Sequence, residues 1–131
     1  MQPINFYDEP PESSRPREDV RLKNLGLYVH EDGRRIAVGF DLTPFQERPS
    51  IEVTVTNERG EVAGSLTVIE ALQPNFHLNV HLRDARPTER YDVEAVVYYG
   101  GGREERVVVD RSSGTIDVTR PGEQTVWEEE E

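Results

Sequence analysis

His77, Asn79 and His81 recur at every second position of one short stretch, and residues of these types invite a metal. A strand would place all three on one face, because its side chains alternate. The spacing works against a shared ion. Four residues of strand span about 13 Å, whereas metal–nitrogen bonds are about 2 Å, so His77 and His81 cannot readily reach one cation. The chain has no cysteine, which removes disulfides, thiol nucleophiles and thiolate metal sites together. Carboxylates are plentiful, but the spaced Asp/Asn ladder of a calcium loop with its closing Glu does not occur. Glu128 to Glu131 reads as a solubilising charge run. No metal or other cofactor is expected.

The remaining chemistry is equally thin. Glu104 and Glu105 sit beside a glycine turn, without the buried surroundings that tune a catalytic acid. Ser112-Ser113-Gly114 lacks the flanking residues of a nucleophile elbow. Gly100-Gly101-Gly102 lies between two strand signals, so no helix terminus is offered to a phosphate. Asp32-Gly33-Arg34 is the reverse of an adhesive tripeptide and reads as a turn. The chain is therefore expected not to be an enzyme.

Charge narrows the partners. The 131 residues carry a net charge of -11, divided as -2 over residues 1–18, -5 over 19–118 and -4 over 119–131. An acidic chain repels phosphate backbones and anionic lipid surfaces, so neither nucleic acid nor membrane is expected as a partner. Met1-Gln2-Pro3-Ile4-Asn5 has no basic head or apolar core, and no apolar run approaches spanning length. The cytoplasm is the default expectation, although a leader removed earlier is compatible with this sequence.

The elements that must position any site are strands. Four prolines and scattered acids mark residues 1–18 as a disordered arm. Residues 119–131 read as an acidic disordered tail. Between them, 19–118 carries about seven strand signals separated by turns. The apolar phase changes from Val20 and Leu22 to Leu25, Leu27 and Val29, which predicts a bulge or a sheet switch near Asn24. Ile36, Val38, Phe40 and Leu42 alternate with polar or small residues. Ile51, Val53 and Val55 follow, then a hairpin turn at Asn57-Glu58-Arg59-Gly60. Val62, Leu66 and Val68 are expected inward on the fourth strand, and Phe76, Leu78, Val80 and Leu82 on the fifth. The sixth runs from Tyr91, and the seventh begins near Glu105 with Val107 and Val109 inward. Helix signals are nearly absent. The expected class is all-β, a seven-stranded antiparallel two-sheet sandwich of immunoglobulin-like type.

Tyr91 supports that class most directly. A Tyr at the start of a strand after a sheet-to-sheet crossover buries its ring and returns its hydroxyl to backbone just upstream. Here the hydroxyl is expected to bond between Leu82 and Thr88. With Val20-Arg21-Leu22, Ile36-Ala37-Val38-Gly39-Phe40-Asp41 and Pro87-Thr88-Glu89-Arg90-Tyr91-Asp92-Val93, the body resembles fibronectin type III and related immunoglobulin-like modules. Phe40 stands where that family usually has Trp, and Ala85 where it usually has Leu. A jelly roll is an alternative that the same signals allow. The resemblance implies an adhesive or scaffolding role and no particular activity.

Two candidate partner surfaces follow. If Tyr91, Val93, Ala95, Val97 and Tyr99 face inward, Val96 and Tyr98 face outward, and Val108 joins them from the next strand as an apolar patch. The tails carry aromatic islands, Phe6 and Tyr7 beside Ile4, and Trp127 beside Val126. A protein partner or self-association is the leading expectation. A small-molecule ligand, most plausibly a carbohydrate stacked on exposed aromatics such as Tyr98, is the alternative.

Overall fold

The computed structural model describes residues 14–122 and 124–128. Eight strands fill it: β1 (Leu22–Val29), β2 (Arg35–Leu42), β3 (Ser50–Thr56), β4 (Val62–Val68), β5 (Asn75–His81), β6 (Arg90–Tyr99), β7 (Val107–Asp117) and β8 (Gln124–Glu128). They form two sheets, ordered β5-β2-β1-β8 and β4-β3-β6-β7, with every strand pair antiparallel. The all-β sandwich is thus observed, and the seven strands of the body are joined by an eighth.

That eighth strand lies where an unstructured tail was expected. Pro121-Gly122 turns the chain back, and Gln124–Glu128 pairs with β1, Leu25 standing opposite Trp127. The beginning of the described chain is also tied down. Arg15 bridges to Phe45 in parallel, its amide donating to the Pro44 carbonyl at 2.9 Å. Gln46 returns an amide bond to the Arg15 carbonyl, and Arg17–Asp19 forms one turn of 3-10 helix. Among the described residues, no helix is long and apolar enough to cross a membrane.

The strand patterns dictate the core. β2 alternates strictly, burying Ile36, Val38, Phe40 and Leu42 against Ile51, Val53 and Val55 of β3 and the odd-numbered positions of β6 from Tyr91 to Val97. The phase change in β1 is a bulge: Leu22 pairs with Leu42 but Asn24 with Asp41, leaving Lys23 extra. This keeps Val20, Leu22 and Leu25 all buried. A second bulge corrects one expectation. Val55 pairs with Gly64 and Thr56 with Val62, so Ala63 takes the buried place and Val62 turns to solvent.

Candidate functional site

Three connections converge at one end of the sandwich: 43–49 between β2 and β3, 69–74 between β4 and β5, and 100–106 between β6 and β7. With Arg17 they enclose a cavity of about 380 Å³. Tyr99 forms part of its wall and donates its hydroxyl to the Glu47 carbonyl at 2.7 Å. Burial first, and the neighbouring Glu47 charge second, push the Tyr99 pKa up to about 12, so the phenol stays protonated. The Arg17 guanidinium lies 4.9 Å from the centre of the Tyr99 ring. It grips the Glu47 carboxylate through two bonds of 2.8 and 2.6 Å and reaches Glu104 at 3.5 Å. The Arg17 hydrogen bond, despite some desolvation, holds the Glu47 carboxyl below the usual range. Arg48 and Arg103 also line the cavity and make no ion pair among the described residues.

Beside the cavity runs an apolar groove of about 370 Å³, lined by Val68 to Gln73 and Phe76. Its loop is pinned rather than loose. Ala71 donates to the Pro49 carbonyl at 2.8 Å, and Glu70 to the Ser50 hydroxyl at 3.1 Å. Glu70 has φ 52, the left-handed region that a residue with a side chain enters at a cost. Ala71 is buried, while Ile69 and Leu72 are 68% and 75% exposed.

The expected patch is only partly present. Val96 and Tyr98 occupy outward positions of β6, as the alternation requires, yet each is only 6% exposed. Arg106 is the cover on Tyr98. Its guanidinium lies 4.0 Å over the ring and donates to Glu52 at 2.7 Å. Val96 pairs with Glu52 on one side and Arg111 on the other, both long and charged. The strand pairing is irregular here. Tyr98 opposes Val108, and β7 carries an extra residue at Val109 before Asp110 pairs with Val97. Val108 is 38% exposed and Val107, expected inward, is 51% exposed. Phe6 and Tyr7 lie outside the described residues, and Trp127 lies on β8.

His77 and His81 stand exposed on β5, opposite Gly39 and Arg35. Asn79 takes a 2.8 Å hydrogen bond from His30. Among the described residues, no three His, Cys, Asp or Glu side chains gather as a metal site.

Sequence reasoning missed Asp84. Its side chain is 2% exposed at the crossover before β6. Oδ2 accepts from the Tyr91 hydroxyl at 2.9 Å and from Asn57 Nδ2 at 3.0 Å, while Oδ1 faces Arg34 at 3.3 Å. The Tyr91 hydroxyl also accepts the Thr88 amide at 3.2 Å, so the expected backbone bond is present. Burial raises the Asp84 pKa, but hydrogen bonds from Asn57 and Tyr91, with the Arg34 charge, outweigh it and hold the carboxyl below its ordinary value. Arg34 Nη1 is buried with no hydrogen-bond partner among the described residues. This cluster locks the corner. A lone Asp between two arginines, Arg83-Asp84-Ala85-Arg86, carries no pattern that would reveal it.

No family model matches the chain, and no curated protein matches it in sequence. Solved structures do. A b-glucuronidase from Ruminococcus gnavus in complex with C6-substituted uronic isofagomine matches at 17% identity and a TM-score of 0.50. The same enzyme with D-glucaro-d-lactam gives the same values. Each match covers 76% of this chain and only 16% of the other, so this chain has the fold of a small part of that protein. At such identity the likeness concerns fold alone.

Proposed function

We propose that this chain is a non-catalytic interaction module that binds a protein partner at the loop end of the sandwich. One observation carries the reading: Ile69 and Leu72, each more than two-thirds exposed, project from a pinned loop beside a preformed cavity. An exposed apolar pair is costly to display in water and well placed to anchor a partner. The cavity supplies Arg48 and Arg103, which make no ion pair among the described residues, as cations for acidic groups on that partner. Arg17 engages the Glu47 and Glu104 carboxylates and holds the Glu47 carboxyl below its ordinary range, which suits binding better than acid catalysis.

The test is Ile69→Glu with Leu72→Glu. Both side chains are exposed, so the fold should persist by circular dichroism. Proteins cross-linked to the parent at a photoreactive residue placed at Gln73 should be lost from the variant. An unchanged cross-linking profile would remove the loop end from the reading.

A second reading is an accessory domain working beside a carbohydrate-active enzyme. The fold likeness to a segment of a b-glucuronidase chain favours it. The Tyr98 platform does not, because Arg106 covers that ring. Titration with D-glucuronic acid, followed by amide chemical shifts, separates the two readings: shifts at Arg48 and Arg103 would favour the carbohydrate.

A further inference from the structure

We infer that residues 4–12 of this chain dock in cis over its own loop end, with Ile4 and Phe6 in the apolar groove and the acids of the segment against Arg48 and Arg103. The docking shares the surface of the loop-end reading and does not depend on it.

The described chain begins within reach of that surface. Ser14 stands beside the connection 43–49: its carbonyl accepts from Gln46 Nε2 at 3.4 Å, and the next amide, of Arg15, donates to the Pro44 carbonyl at 2.9 Å. Just before Pro44, the Leu42 amide donates to the Pro74 carbonyl at 2.9 Å, and Pro74 follows Gln73, which lines the groove. Two strand-like spacings and three steps along the backbone make this path about 20 Å. An extended chain covers about 3.3 Å per residue, so the stretch from Ser14 back to Phe6 spans about 26 Å. The cavity is nearer still, since Arg17 lines it.

The segment carries what the two surfaces require. It reads Ile4-Asn5-Phe6-Tyr7-Asp8-Glu9-Pro10-Pro11-Glu12. In an extended chain Ile4 and Phe6 project to the same side. The groove of about 370 Å³, with Ile69, Leu72 and Phe76 in its walls, has room for an aromatic ring and an aliphatic neighbour. Asp8, Glu9 and Glu12 fall between those apolar residues and the anchored Arg15, and the cavity adjoins the groove through Ile69 and Glu70. Arg48 and Arg103 make no ion pair among the described residues, whereas Glu47 and Glu104 are offset by Arg17. Glu70 opposes the attraction, one carboxylate against two cations.

Two further terms favour docking. Pro10 and Pro11 favour an extended backbone, which lowers the entropy lost on ordering. The covalent tether gives an effective concentration on the order of millimolar, so even a weak contact is populated. Residues 129–131 follow Glu128, which stands opposite Asn24 at this same end, but three glutamates bring nothing apolar to the groove.

The chain has no cysteine, so Asn5→Cys provides one attachment point for a nitroxide on the full chain. The amides of Ile69, Leu72 and Gln73 should lose intensity, while those of Gly33 and Gly60 at the opposite end stay sharp. Phe6→Ser with Tyr7→Ser should abolish that loss, and Arg48→Glu with Arg103→Glu should reduce it. Isotope-labelled parent mixed with unlabelled nitroxide-bearing chain should show none of it. Intensity loss that is absent, spread evenly over the surface, or indifferent to either pair of substitutions would overturn the inference. So would loss at the loop end in the mixed sample, which would place the segment on a second copy. No partner takes part in these measurements, so the loop-end reading stands or falls separately, on its cross-linking.

Discussion

Removing one oxygen at the corner before β6 is the most informative perturbation of the fold. Tyr91→Phe keeps the buried ring and deletes the hydroxyl that donates to Asp84 and accepts from Thr88. A neutral hydrogen bond contributes about 1 kcal/mol net, but one to a charged group contributes about 1.5–3 kcal/mol. The acceptor here is a carboxylate with a nearly inaccessible side chain, so the larger range applies. Urea unfolding followed by circular dichroism should show a lower midpoint at unchanged slope.

Acid gives the second half of the experiment. The folded Asp84 pKa lies below its ordinary value. The stability linked to it is therefore full above the unfolded value of about 3.9 and is lost as pH falls through the folded value. Without the Tyr91 hydroxyl the depression shrinks, so the variant should lose less of its stability than the parent across that acidic window. A Tyr91→Phe protein with the parent's midpoint at neutral pH and the parent's acid profile would refute the account of the corner.

Three further outcomes are expected. Tyr98→Glu should destabilise the fold by about 2 kcal/mol or more, because it puts a carboxylate in place of a covered ring; thermal melting checks this. Gly64→Ala should cost about 1–3 kcal/mol, since its Cβ would stand 2.5 Å from the His81 carbonyl oxygen, where β4 approaches β5; denaturant midpoints measure it. Truncation after Gly122 should speed hydrogen exchange of the β1 amides that face β8 and leave β3 and β6 protected, as read by amide exchange.

What the sequence discloses here follows from periodicity and what it hides follows from cover. Alternation placed Ile36 to Leu42 and Tyr91 to Val97 correctly, because a period of two is rigidly tied to the strand. The phase slip at Asn24 was visible because apolar residues stood on both sides of it. Around Ala63 the slip was invisible: Val62 and Ala63 are both apolar, and alternation alone cannot choose between them. The phase of Val96 and Tyr98 was legible, but their burial was not. It depends on where the flexible arm of Arg106 lies, which spacing does not encode. β8 was hidden by composition, since Gln124–Glu128 gains its order from the edge of β1 and has little propensity of its own. The loop-end groove was hidden because Ile69 and Leu72 fall between two strands, where no alternation says which way they point.

The first strand also sets a schedule. Leu22 at its start donates its amide to Asp110, 88 residues later, and the same strand is then edged by β8. Synthesis runs in the opposite sense to this satisfaction: β1 leaves the ribosome first and finds its last partners only when the other end of the domain has emerged. Until then Leu25, Leu27 and Val29 have β2 beside them, while the opposite sheet still lacks β7 and the β8 edge stays open. Non-local closure of this kind is slow, and the waiting chain exposes apolar surface to its neighbours. Yield at high expression rates should therefore depend on how quickly the last strands are delivered.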